Sequence, residues 1–261
     1  MIDIHSHIIP NIDDGSKSLE MSLEMLKRAE ESGTKKIIAT PHFFKGYWTE
    51  NYNSVKDKVK ELNKLAKENN LNIEIYPGQE VFFNNYILED FKLGDIGTLG
   101  ESRYMLIEFP MDKIYFQKAI DEIYELKIKG ITPVIAHPER YVDFINNPEE
   151  INQFIDEGYL FQLNGGSLTG LFGKDVKKTA ELFLENNLYS FIGSDAHSNG
   201  NRNTNLKEAC EVANSISRGA SRRFEANGLA LLNNEKIVFQ GQKLKRRKRI
   251  IFILQKIDVN L

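Results

Sequence analysis

MIDIHSHIIPNIDDG (Met1–Gly15) sets imidazoles into a short apolar segment. Ile2–His5 reads as a buried strand, too brief and too apolar for an amphipathic helix. His5 and His7 stand two residues apart, so on extended backbone both side chains leave the same face. A pair of acids, Asp13 and Asp14, closes the stretch. Helical spacing takes over next, with Leu19, Leu23, Leu26 and Ala29 predicted on one face, Ser18 as N-cap and Gly33 as stop. An apolar strand that ends in polar groups and passes into a helix is the first unit of a β/α fold.

The alternation continues outward from that unit. KKIIATPH, NIEIYPGQE, RYMLIEF, ITPVIAH, YLFQLN and YSFIGSDAH read as the second to seventh strands. Helices are predicted over 52–70, 114–129, 148–157, 174–186 and 206–217. Seven apolar strands alternating with helices predict a parallel sheet covered on both faces, closed or nearly closed into a barrel. No fixed-period repeat or linker interrupts residues 1–234, which are expected to form a single α/β domain followed by a basic tail, 235–261.

The chain contains 5 histidines. His5, His7, His42, His137 and His197 all fall at the ends of predicted strands, as do Glu80, Glu108 and Asp195. In a parallel barrel those C-terminal ends converge on one mouth, where active sites lie. Asp195 and His197 repeat the two-residue spacing of His5 and His7. Any one of these histidines alone would read as a core residue. Together, imidazole and carboxylate with no thiolate describe a site for Mn²⁺, Zn²⁺ or Fe²⁺. Several such ions suit hydrolysis of a phosphate ester, because they lower the pKa of water toward ~7 and neutralise phosphoryl oxygens.

Composition narrows the alternatives. At 261 residues, 41% hydrophobic and 27% charged, the chain is an ordinary globular sequence. A net charge of −3 gives no global field toward nucleic acid. The longest aliphatic or aromatic run, Ile250–Leu254, is far too short to span a bilayer. A secretory signal is not expected, and the single cysteine fits a reducing cytoplasm. KLKRRKR (Lys243–Arg249) is a solvated basic tail or a contact for anionic lipid at the inner face of the membrane.

In order, DIHSH, TPHF, GQEV, IEFP, AHPERY and GSDAH resemble the strand-end motifs of the polymerase-and-histidinol-phosphatase (PHP) superfamily. DIHSHIIPNIDDG, HPERY and LNGGSLTG resemble its bacterial metal-dependent protein tyrosine phosphatases of the capsule and exopolysaccharide (CpsB/CapC-type) branch. The resemblance spans roughly residues 1–234. It implies a distorted (β/α)₇ TIM-like barrel with up to three divalent ions, Mn²⁺ foremost. His5, His7, Glu80 and Asp195 would hold the first ion, and Glu80, Glu108 and His137 the second. Asp14, His42 and His197 would hold the third, although the spacing alone leaves Asp13 and Asp14 as alternatives. Arg140 and Arg202 match the family's phosphate-binding arginines. The implied activity is cytoplasmic hydrolysis of phosphotyrosine by metal-activated hydroxide, with a tyrosine autokinase of capsular or exopolysaccharide biosynthesis as partner. Histidinol phosphate or another small phosphomonoester is the alternative substrate, and a non-catalytic regulatory module the alternative of another class.

Cysteine chemistry is excluded, because C-x₅-R would need Arg where Ile216 follows Cys210. Cys210 shares a predicted helical face with Leu206, Ala209 and Ala213, which marks it as core. Phe43, Phe44, Tyr47, Trp48, Phe82 and Phe83 form a candidate aromatic rim. Gly165 and Gly166 either admit backbone close to phosphate or make a turn.

Overall fold

A computed structural model describes residues 1–245. Within them the chain runs β1 (Ile2–Ser6), α1 (Leu19–Glu31), β2 (Lys36–Ala39), β3 (His42–Phe43), α2 (Tyr52–Glu68), β4 (Glu74–Pro77), β5 (Glu80–Phe82), α3 (Ile87–Leu93) and β6 (Tyr104–Glu108). It continues with α4 (Phe116–Ile128), β7 (Thr132–Ala136), α5 (Val142–Asn146), α6 (Asn152–Asp156), β8 (Leu160–Asn164), α7 (Gly165–Thr169), α8 (Lys174–Glu185), β9 (Phe191–Gly193), α9 (Lys207–Ile216) and α10 (Ala220–Leu232).

Every strand pairing is parallel, in two sheets ordered β1-β2-β4 and β3-β5-β6-β7-β8-β9. Two expected strands are each broken in two, which turns seven into nine. KKIIATPH passes from β2 to β3 at Thr40–Pro41, and NIEIYPGQE from β4 to β5 at Gly78–Gln79. A proline cannot donate to the ladder, so Pro41 is a natural break point. Counting the broken strands once gives seven positions, and a Ser6↔Ala196 bridge joins the last to the first. The sheet therefore curls into a barrel distorted at those two breaks.

Strand parity separates the layers. Met105, Ile107, Ile135, Phe161, Leu163 and Ile192 face the surrounding helices, while Tyr104, Leu106, Val134, Ala136, Leu160 and Phe191 fill the interior. The inward row then continues into Glu108, Gln162, Asn164 and Asp195 at the strand ends. Leu231 of α10 packs into the interior layer from the opposite end.

Ser18 caps α1 as expected, its Oγ accepting from Met21 N at 3.2 Å. The buried face of α1, however, is Ser22, Met25, Leu26 and Ala29, and Leu19 is 51% exposed. Ser22 belongs there because its hydroxyl donates to Ile8 O at 2.7 Å, behind the first strand. The helix expected over 148–157 is a 3₁₀ turn, Pro148–Ile151, running into α6. Residues 235–245 lie along the barrel: Tyr104 Oη donates to Glu235 O, and Asn152 exchanges two hydrogen bonds with the Leu244 backbone. Lys243, the first residue of the basic run, is paired with Asp156. Residues 246–261, with the rest of that run, lie outside the described residues.

Candidate metal centre

The strand ends deliver all five histidines and four acids to one opening. His5, His7, Glu80 and Asp195 form one cluster whose ligand atoms all lie within 4.8 Å of one another. His7, Asp14, His42 and His197 form a second, and His42, Glu80 and Glu108 a third. His137 joins through Nε2, 3.0 Å from Glu80 Oε1 and 3.5 Å from Glu108 Oε1. Glu80 is the hub: its Oε2 lies 3.2 Å from His5 Nε2, 3.3 Å from His7 Nε2 and 3.1 Å from His42 Nδ1.

The loop after β1 separates the two acids that spacing left open. Asp13 is buried and turned away from the opening, accepting from His7 Nδ1 at 2.8 Å, His42 N at 3.0 Å and Gly15 N at 2.9 Å. Its partnership with Nδ1 leaves His7 Nε2 aimed at the cluster. Asp14 is 46% exposed at the side chain and meets His197 Nε2 at 3.2 Å and His42 Nε2 at 3.6 Å.

Two orienting groups, Gln162 and Asn164, were not among the residues that the sequence singled out. A third, Asp13, which spacing left as an alternative to Asp14, holds His7 and caps the turn at Gly15. Gln162 Oε1 sits 3.0 Å from His5 Nδ1 and accepts from His137 N at 3.2 Å. Asn164 Nδ2 donates to Asp195 Oδ2 at 2.7 Å. The available signal was YLFQLN itself, where Gln162 and Asn164 alternate on an otherwise apolar strand. Such polar residues on one face must find partners inside.

His137 and Asp195 both adopt left-handed backbone, φ 30° and 50°. Each such residue costs about 1–3 kcal/mol and persists only where surrounding structure imposes it. Here the Asp195 N–H donates to His5 O at 2.8 Å, and β9 is tied to β1 again through Asp3 Oδ1, which accepts from Ser194 N and His5 N. Close approach at this seam requires Gly193, where an added Cβ would stand 2.5 Å from His5 Cβ. Gly193→Ala is accordingly expected to lower unfolding free energy by about 1–3 kcal/mol, read as a lower denaturant midpoint. An unchanged midpoint would mean that the seam is looser than drawn.

The donor set fits divalent cations. Glu80 Oε2 and His42 Nδ1 face each other without forming a hydrogen bond, and His137 Nδ1 also lacks a partner. Electrostatics point the same way. Burial, reinforced by the charges of Glu80 and Asp195, raises Glu108 well above the usual carboxylate range. Burial opposes protonation of His7, but Asp13, Asp195 and Glu80 outweigh it and raise the imidazole well above its ordinary value. Burial, with Arg140 adding to it, lowers His137 to about 4, and burial with His7 lowers His42 to about 4, leaving both neutral and able to ligate near pH 7. So much buried carboxylate calls for positive charge.

Arg140 and Arg202 border the cluster. Arg140 Nη1 and Arg202 Nη2 each lie 2.8 Å from a different oxygen of Asp195, and Arg202 also donates to Asp195 O at 3.2 Å. The aromatic set divides. Phe43 is core, and Phe83 packs against Phe109 at 5.2 Å. Phe44 stacks on Phe82 at 4.0 Å, Trp48 stacks on His42 at 5.2 Å, and Tyr47 is 73% exposed. Gly165 and Gly166 open α7 rather than a bare turn. A Cβ on Gly165 would strike Leu206 at 2.7 Å, and one on Gly166 would press on Phe172 at 3.0 Å. Their smallness serves packing. Cys210 is buried on α9 and its thiol is pushed up to about 11 by burial, the reverse of what a nucleophile needs.

A parallel barrel with imidazoles and carboxylates gathered at its mouth has the donor set of a metal-binding α/β-barrel domain. Residues 1–238 match the family model described as capsular polysaccharide synthesis, CpsB/CapC, and the chain belongs to that family. It is 36% identical over 250 residues to the tyrosine-protein phosphatase YwqE of Bacillus subtilis, covering 95% of this chain and 98% of that one. With the tyrosine-protein phosphatase CpsB of Streptococcus pneumoniae it shares 35% identity over 217 residues, covering 81% and 89%. Among solved structures, it superposes with a TM-score of 0.88 and 35% identity, covering 94% of this chain and 100% of the other, on a chain from the work on YwqE from Bacillus subtilis and CpsB from Streptococcus pneumoniae, described as unique metal-dependent tyrosine phosphatases.

Proposed function

We propose that this protein is a metal-dependent protein tyrosine phosphatase that hydrolyses phosphotyrosine on a tyrosine autokinase of capsular or exopolysaccharide biosynthesis. The observation that carries the reading is the joining of nine candidate ligands to two arginines at one opening. The names of its relatives support the substrate class, since YwqE and CpsB are tyrosine-protein phosphatases. The catalytic unit is residues 1–234, and 235–261 is its basic tail. His5, His7, Glu80 and Asp195 would hold one ion, Glu80, Glu108 and His137 a second, and Asp14, His42 and His197 a third. Mn²⁺ is the ion proposed, with Zn²⁺ or Fe²⁺ as alternatives of similar ligand preference.

When bound, the ions supply a hydroxide nucleophile near neutral pH and neutralise charge on the phosphoryl oxygens. The protein's own residues do the rest. Glu80, Asp13 and Gln162 fix the imidazoles in orientation. Arg140 and Arg202 offer planar forks of donors that stay charged at any working pH, suited to two oxygens of a phosphate. Tyr47 and Trp48 present ring surface beside His42 for a phenyl group. A phenol leaves with a pKa of ~10, far below that of an alkoxide, so the leaving group asks little of a general acid. The working compartment is the cytoplasm, with the basic run from Lys243 either a solvated tail or a contact for anionic lipid at the inner face of the membrane. Among the described residues, no helix is long and apolar enough to cross a membrane.

The test offers Mn²⁺-loaded protein a phosphotyrosine peptide, a phosphoserine peptide and histidinol phosphate, each with and without chelator. Phosphotyrosine turnover that disappears on chelation is expected. Preference for histidinol phosphate would overturn the substrate, and activity indifferent to chelation would overturn the chemistry.

A further inference from the structure

We propose that Phe172 is the positioning residue of the arginine pair, a flat surface on which both guanidiniums are held ready for phosphate. The proposal rests on the reading of Arg140 and Arg202 as phosphate ligands. Phe172 lies in the turn between α7 and α8, far in sequence from either arginine. Its ring centroid is 4.5 Å from Arg140 Cζ and 5.8 Å from Arg202 Cζ. The ring is itself held: Leu171 N donates to Gly166 O at 2.9 Å, closing the turn, and Phe172 Cε2 rests over the bare Cα of Gly166.

The physical case turns on which part of a guanidinium each partner uses. Asp195 engages the N–H edges, the same donors that a phosphate needs, and Asp195 is also a candidate ligand for a cation. Its hold on the arginines competes with both functions. An aromatic ring attracts a guanidinium through its π cloud and accepts none of the in-plane hydrogen bonds. Phe172 therefore restricts two long, flexible side chains while leaving their donors free. Each arginine otherwise carries rotamer entropy that phosphate binding would have to overcome.

The test uses full-length, Mn²⁺-loaded protein with Phe172→Leu and Phe172→Tyr, and inorganic phosphate as the probe. Affinity is read by calorimetric titration and by competitive inhibition, alongside KM and kcat for a phosphotyrosine peptide and the melting temperature. Phe172→Leu is expected to weaken phosphate binding and raise KM about tenfold, the scale of one desolvated cation–π contact. Phe172→Tyr, which keeps the ring, should restore wild-type affinity at an unchanged melting temperature. In an Arg140→Ala/Arg202→Ala background, Phe172→Leu should add nothing. Undiminished phosphate affinity in Phe172→Leu, or an equal loss in the arginine-free background, would overturn the proposal. If Arg140→Ala and Arg202→Ala themselves leave phosphate affinity intact, the phosphate-ligand reading falls first, and this proposal with it.

Discussion

Glu80→Gln is expected to lower kcat/KM for a phosphotyrosine peptide by about a thousandfold or more while leaving the protein folded. Glu80 touches His5, His7 and His42 through one oxygen and His137 through the other. In the proposed assignment it is the ligand shared between two ions. The amide keeps the shape but replaces one acceptor with a donor and removes the charge that offsets the cations. Stabilisation of several kcal/mol is at stake, and each 1.4 kcal/mol is a factor of ten. Removing the charge leaves the buried imidazoles around it less compensated, so some stability is lost with the activity, while the unchanged shape of the amide keeps the barrel packed. Near-UV circular dichroism with steady-state kinetics checks both halves. Turnover within tenfold of wild type would displace Glu80 from the centre of the chemistry.

The second large effect comes as a contrasted pair. His137→Ala is expected to abolish measurable turnover, because its Nε2 stands between Glu80 Oε1 and Glu108 Oε1, where the proposed assignment makes it a ligand of the second ion. Cys210→Ser should leave kcat within about twofold, since a buried thiol raised to about 11 has almost no thiolate near pH 7. Any change in the serine variant belongs to packing beside Ala209 and Ala213 and appears in the melting temperature. Loss of activity in folded Cys210→Ser, with His137→Ala active, would reverse the mechanism from metal to thiol.

The barrel and its mouth were legible because of where polar residues sit. Histidine and acid at the end of an apolar run are conspicuous, and strand parity carries them inward once the barrel closes. Breaks within strands left only a weak mark: Pro41 in KKIIATPH and Pro77–Gly78 in NIEIYPGQE stand at them. A proline near a strand end is equally compatible with one continuous strand, and pairing in two different sheets is what reveals the division. The Asp13–Asp14 choice depends on a loop whose turn places one acid behind His7 and the other in front. Helix α10 went unseen because its face is irregular, with Gly228 in mid-helix where the backbone lies against Ile2. Phe172 had no sequence signal, since its meeting with two arginines is purely tertiary. Leu19 misled for a related reason: Ser22 wins the buried position by a hydrogen bond that hydrophobic periodicity cannot register.

The most direct test is anomalous diffraction at the manganese edge from crystals grown with Mn²⁺. The account predicts manganese peaks at the mouth, one bordered by His5, His7, Glu80 and Asp195, with Glu80 shared by a second. Peaks confined to surface carboxylates, with none among the imidazoles, would contradict it.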